Sequence, residues 1–156
     1  MSRLSCIITT HAPDLASQKL DYPLDLVKAL AKQTPFFKLF LGDVIMPYPH
    51  GKLDYVKDML YASQTFTQKK ISPTGLLCGA TIERALSDAY YLEEPYDDSE
   101  LASLRGDRRF AWIWPEEIMT QYNANKQQLQ VGFYLPKGSY ATTFLEEIGK
   151  FSLKEK

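Results

Sequence analysis

Apolar positions recur at helical spacing in several stretches of the chain. Leu24, Leu26, Val27, Leu30 and Ala31 fall three and four apart behind Pro23, which suits a first-turn position, so the spacing predicts a short helix to about Gln33. Met59, Ala62 and Phe66 repeat the pattern behind Asp58, whose carboxylate can cap a helix running to about Gln68, and Lys69 and Lys70 close it at the end favoured by the dipole. Ile82, Ala85, Leu86, Ala89 and Tyr90 share one helical face behind Thr81 and predict a further helix. Asp97 and Glu100 have capping-box spacing before a short helical turn to Leu104. Ala141, Phe144, Leu145 and Ile148 mark a last amphipathic helix that Ser139 can cap.

Strand patterns lie between these helices. The apolar run Phe36 to Met46, broken by Gly42-Asp43, reads as a buried strand approached through a turn or bulge and ended by Pro47 and Pro49. Leu53 to Val56 and Arg109 to Trp114 read as short strands. From Gln127 to Leu135 the alternation is clean: Leu129, Val131, Phe133 and Leu135 fall on one face, with Gln128, Gln130 and Tyr134 on the other. This predicts a half-buried strand with an exposed edge able to associate. Ile71 to Gly79 mixes Pro73, Gly75 and Gly79 with apolar residues and reads as an ordered loop packed on a core. Residues 1–20 show no sustained period.

Composition changes little in this picture. At 156 residues and 45% hydrophobic the chain is long enough for a real core. The net charge of -1 excludes a global field that would draw in a polyanion, so any nucleic-acid surface has to be local. Residues 1–70 carry a net +3 and residues 71–156 a net -4, and the acidic run from Glu93 to Glu100 is followed at once by Arg105, Arg108 and Arg109. Cys6 and Cys78 stand far apart outside any CxxC spacing, and His11 and His50 lack a second ligand at metal spacing, so neither disulfide nor zinc chemistry is indicated. With no basic leader pattern and no apolar stretch of membrane-spanning length, the expectation is a cytoplasmic protein.

The segment Leu135-Pro136-Lys137-Gly138-Ser139-Tyr140-Ala141-Thr142-Thr143-Phe144-Leu145 resembles the closing motif of the tRNA pseudouridine synthase D (TruD) family: a strand, Leu-Pro, a small turn, Gly-Ser-Phe/Tyr-Ala-Thr and a helix. Gly42-Asp43-Val44 with Ile71 to Gly79, and Arg105-Gly106-Asp107-Arg108-Arg109 ahead of Trp114-Pro115, resemble the same family in the same order. The resemblance implies an α+β fold of mixed helices and short strands, with residues 1–113 as part of the family's insertion domain and residues 114–156 as a strand and helix closing the synthase core. It implies conversion of the uridine at tRNA position 13 to pseudouridine, with no metal or organic cofactor and with tRNA as partner.

The same resemblance places the family's catalytic aspartate, and an asparagine with an aromatic neighbour, in a preceding segment whose contexts are not reproduced here. The expectation is therefore a C-terminal part of a synthase, inactive alone, with the missing N-terminal part as a further partner. Glu146 and Glu147 stand where relatives often have Arg-Glu, and a glutamate at 146 would repel a nearby carboxylate.

Flipping a uridine requires an aromatic or apolar wall, and Tyr140 takes the position of the family's stacking residue. Without the resemblance, Tyr140 would be read as packing on Phe133 or Phe144. Lys69, Lys70, Arg105, Arg108, Arg109 and Lys137 are the candidate phosphate contacts, against the plainer reading of solvated surface charges. Asp107 among arginines reads as an ion-pair partner, and Phe110, Trp112 and Trp114 as core. The rival functions are a noncatalytic RNA-binding module built from the same insertion domain, and an interaction or remnant domain with no RNA affinity.

Overall fold

A computed structural model describes residues 13–149, residue 36 excepted, so Cys6, His11 and the first residue of the Phe36 to Met46 run lie outside the described residues. The chain divides into two compact units, residues 1–112 and 113–156. The fold is α+β: helices and antiparallel strands in both units.

The first unit opens with α1 (Pro13–Leu20) and α2 (Leu24–Ala31). No period announces α1; Pro13 occupies its first turn, and Ala16 is fully buried. Helix α2 tightens in its last turn, where the Lys32 and Gln33 N–H groups donate to the Ala29 and Leu30 carbonyls at 3.2 and 3.1 Å. The buried Gln33 carboxamide accepts the Leu39 N–H at 2.8 Å and donates to the Leu39 carbonyl at 2.5 Å, closing the loop after the helix.

Strands β1 (Val44–Pro47), β2 (Asp54–Tyr55), β3 (Ile71–Leu77) and β4 (Asp107–Phe110) form one antiparallel sheet in the order β2-β1-β3-β4. The segment expected as a loop is therefore an inner strand. Its proline and glycines argue against a strand locally. Pairing overrides them: β1 and β4 flank β3, the Pro73 carbonyl accepts the Ala111 N–H at 2.9 Å, and the Thr74 hydroxyl donates to Val44 O at 2.8 Å. Strand β4 begins two residues earlier than expected and ends at Phe110.

Helix α3 (Met59–Thr67) follows the sequence expectation, with the Asp58 carboxylate accepting the N–H groups of Leu60 and Tyr61 at 2.9 and 3.0 Å. It ends with Lys69 in the left-handed region (φ 59°), so that the Lys69 and Lys70 N–H groups reach back to Phe66 and Thr65.

The helix expected from Thr81 is mostly absent. Helix α4 spans only Ser87–Glu93, and Leu86 before it is extended (φ -121°, ψ 170°). The reason is tertiary. The Leu86 N–H donates to Gly42 O, the Ala85 N–H to the Glu93 carboxylate at 2.7 Å, and the Glu83 carbonyl accepts Arg108 Nε at 2.8 Å. Backbone groups that a helix would pair internally are thus taken by other segments. Ala85 and Ala89 still reach the core, with Leu30 and Phe40, while Leu86 is exposed. Beyond two single-turn 3₁₀ segments, Glu94–Tyr96 and Ser99–Leu101, the chain enters β4. Asp98, not Asp97, caps the second turn, accepting the Glu100 N–H at 2.9 Å; the Asp97 carboxylate is held by Arg84.

Phe37, Phe66 and Trp112 form a second apolar group, meeting edge to face at centroid separations of 6.0 to 6.2 Å. Trp112, expected in the core, packs on these two rings but is 37% exposed, so it edges the group rather than filling it.

The second unit comprises β5 (Glu116–Asn123), β6 (Gln128–Tyr134) and α5 (Ala141–Gly149). β5 and β6 form a two-stranded antiparallel sheet, so the strand expected with a free edge has a neighbour on one side. No pattern announced β5, because an irregularity between Glu116 and Met119, with Glu117 at φ 49°, breaks its alternation.

Candidate functional site

The closing motif folds as a strand, a turn and a helix. After Tyr134 ends β6, Leu135-Pro136 leads into a turn closed by the Ser139 N–H on the Pro136 carbonyl at 3.1 Å, with Gly138 at φ 89° supplying the left-handed step. Helix α5 then starts on the Tyr140 carbonyl, which accepts the Phe144 N–H at 3.4 Å. Ser139 does not cap this helix: its hydroxyl is buried without a hydrogen-bond partner. Phe144 packs edge to face on Phe133 at 4.6 Å and so pins α5 to β6.

This pairing leaves Tyr140 outside. Tyr140 is 64% exposed just before α5, and the two phenylalanines against which it could have packed meet each other. The alternative of a core tyrosine is thus not realised in the described residues. Lys137 lies exposed in the same turn, three residues from Tyr140.

The other candidate cations lie in the first unit, at two places. Lys69 and Lys70 are exposed on the turn from α3 into β3. Arg105 and Arg109 sit before and on β4; Arg105 is exposed, and Arg109 is half-exposed beside Asp107 at 3.0 Å. Asp107 is accordingly an ion-pair partner, and this exposed pair contributes little to stability.

Arg108 must be removed from the set of phosphate contacts. It is 5% exposed, and its guanidinium grips the Glu93 carboxylate through two bonds of 2.6 and 2.5 Å while donating to Glu83 O. Alternation along β4 is the cause: Arg109 and Asp107 point outward, so Arg108 points in. In the sequence the three neighbouring arginines look alike; the two faces of β4 separate Arg108 from Arg109, and Arg105 lies before the strand.

Asp43 belongs to the same interior group. Burial pushes its carboxyl up to about 6; the Phe40 N–H, donated at 2.6 Å, acts against this, Glu93 adds to it and Arg108 opposes it. The Gly-Asp-Val and Arg-Gly-Asp-Arg-Arg stretches therefore meet in a structural network around Glu93. Among the described residues no three His, Cys, Asp or Glu side chains converge as a metal site, and no helix is long and apolar enough to cross a membrane.

Comparison with known proteins places this geometry. A family model described as tRNA pseudouridine synthase D (TruD) matches residues 24–148. A curated tRNA pseudouridine synthase D of Nitratiruptor sp. is 43% identical over 151 residues, covering 97% of this chain and 42% of the relative. That of Wolinella succinogenes is 37% identical over 153 residues, with the same coverage of 97% and 42%. A crystal structure of a candidate TruD from Methanosarcina mazei superposes with a TM-score of 0.52 at 22% identity, covering 72% of this chain and 32% of that one, and supports the fold. The chain thus spans about 42% of the length of these two curated relatives. A match that runs from α2 to the end of α5, through every stretch that carried the resemblance, establishes that the chain belongs to the tRNA pseudouridine synthase D family.

Proposed function

We propose that this chain is the C-terminal part of a cytoplasmic tRNA pseudouridine synthase acting on uridine 13, in which residues 1–113 belong to the insertion domain and residues 114–156 close the synthase core. The observation that carries this reading is Tyr140, held at the head of α5 with 64% of its surface in solvent inside a family motif.

The chemistry divides accordingly. Isomerisation requires the uracil to leave the base stack, its N-glycosidic bond to break, and the ring to rejoin the ribose through carbon. Tyr140 offers a face on which the flipped ring stacks. Lys137, Arg105, Arg109, Lys69 and Lys70 offer cations for backbone phosphates. Neither Asp43 nor Asp107 is suited to attack: Asp43 bonds the Phe40 N–H beside Glu93 and Arg108, and Asp107 pairs with Arg109. The sequence context that the resemblance gives the catalytic aspartate is not reproduced in these residues, and on that ground we assign the chain no catalytic carboxylate.

Incubated with unmodified tRNA, the chain alone yields no pseudouridine by mass spectrometry. With the N-terminal portion of a TruD synthase supplied, position 13 is converted, and Tyr140→Ala lowers that activity about tenfold to a hundredfold, as loss of one stacking contact implies. Pseudouridine formed by the chain alone would overturn the assignment. Salt-dependent tRNA binding with no gain from the added portion would make the chain a noncatalytic RNA-binding module, and no binding at low salt a domain outside RNA chemistry.

A further inference from the structure

Asp43 directly precedes β1 and is held there through its backbone. Its N–H donates to the Phe40 carbonyl at 3.2 Å, and its own carbonyl accepts the Val56 N–H at 2.9 Å. The same turn is tied to the segment around the start of α4: Gly42 O accepts the Leu86 N–H at 3.0 Å, and Leu41 O the Ala89 N–H at 3.2 Å. The Phe40 N–H, donated to the Asp43 carboxylate at 2.6 Å, keeps that side chain beside the charges of Glu93 on α4 and Arg108 on β4.

Arg108 does not answer both acids. Its two Nη groups go to the two oxygens of Glu93, Nε goes to Glu83 O, and Nη1 also reaches Thr74 O at 3.5 Å, so none of these bonds ends on Asp43. Glu93 takes the Ala85 N–H as well. Among the described residues the Asp43 carboxylate has the bond from Phe40 alone. The other titratable groups facing this ion pair are the Tyr55 phenol on β2 and the exposed Glu83 carboxylate beside it. The phenol is raised above its ordinary 10, chiefly by burial, and stays neutral; Glu83 adds no positive charge. With Asp43 ionised, Asp43, Glu93 and Arg108 therefore sum to one negative charge, and a single proton removes it.

We infer that Asp43 is a proton-operated lock: a proton taken from solvent onto its carboxyl neutralises the cluster and fastens the turn of residues 40–43 to β4 and to the approach to α4. Every group named lies within residues 1–112, so the lock is complete in the first unit and stands apart from the tRNA reading. Burial sets its range by pushing the Asp43 carboxyl from 3.8 up to about 6; the Phe40 N–H lowers it, Glu93 raises it and Arg108 lowers it. The folded chain thus holds this proton more tightly than the unfolded one. The stability it contributes is fully present below about 4 and is lost as the pH rises through about 6.

Urea denaturation of the full chain and of Asp43→Asn, at pH 5 and pH 7.5, tests this. The carboxamide keeps an acceptor for the Phe40 N–H but never ionises. From pH 7.5 to pH 5 the wild type should gain about tenfold in its folded-to-unfolded ratio relative to Asp43→Asn, as a shift from 3.8 to about 6 implies. Over the same interval the Leu86 amide should gain protection from hydrogen exchange, corrected for intrinsic rates, in the wild type and not in the variant. Equal pH responses of the two chains, or a Leu86 amide whose protection does not change, would overturn the lock. Should Asp43→Asn not fold, the Asp43 carboxyl carbon of the wild type, followed by nuclear magnetic resonance, decides together with the Leu86 amide. A titration midpoint above about 5 supports the lock, and one at about 5 or below overturns it.

Discussion

Arg108 shows how far one side chain reaches in this fold. It stands on β4, binds Glu93 at the end of α4, and takes the Glu83 carbonyl from the extended approach to that helix. A buried guanidinium is costly unless every bond is made, and removing one partner leaves the other charge uncompensated. Arg108→Ala is therefore expected to cost about 3–5 kcal/mol in urea denaturation. Arg109→Ala, one residue on and half-exposed, should cost under about 1 kcal/mol. Equal losses at the two positions would show that the burial difference does not govern their roles. The sequence shows both arginines as the same charge in the same motif, and only the inward alternation of a paired strand separates a core residue from a candidate RNA contact.

At the scale of elements, Gly42 and the segment before α4 constrain each other. Gly42 has φ 86°, and a Cβ there would sit 1.9 Å from the Leu86 carbonyl oxygen, whose own N–H bonds to Gly42 O. Gly42→Ala should thus combine a left-handed backbone penalty with a backbone clash and lose more than about 2 kcal/mol. Thermal melting followed at 222 nm reads this directly; a loss below about 0.5 kcal/mol would mean the two segments part without cost. The pairing also explains why the helix read from Ile82 to Tyr90 is replaced by an extended run and a short helix. Ala85 and Ala89 are buried as the periodicity required, but the backbone between Glu83 and Leu86 bonds outward. Where the side chain alone sets local structure, as with Asp58 capping α3, sequence and structure agree.

For the whole molecule, the division after Trp112 predicts how it unfolds. The four-stranded sheet, the Leu30–Phe40–Ala85–Ala89 core and the Arg108–Glu93 network all lie within residues 1–112. A fragment of residues 1–112 should keep a cooperative urea transition with at least half the denaturant dependence of the full chain, since that slope follows the surface exposed. A fragment without a transition would mean that the second unit is required for the first to fold.

By itself the sequence determined the family, through motifs whose order is readable residue by residue. It also determined α2, α3, α5 and β6, elements whose patterns or caps are local. Tertiary structure alone decided that Ile71–Leu77 is an inner strand, that Glu116–Asn123 pairs across an irregular register, and that Arg108 is interior. It also decided that Tyr140 stands free while Phe133 and Phe144 close on each other. The physical reason is common to these cases. A backbone hydrogen bond or a side chain's facing is settled by which partner arrives from a distant part of the chain, and no local pattern records that arrival.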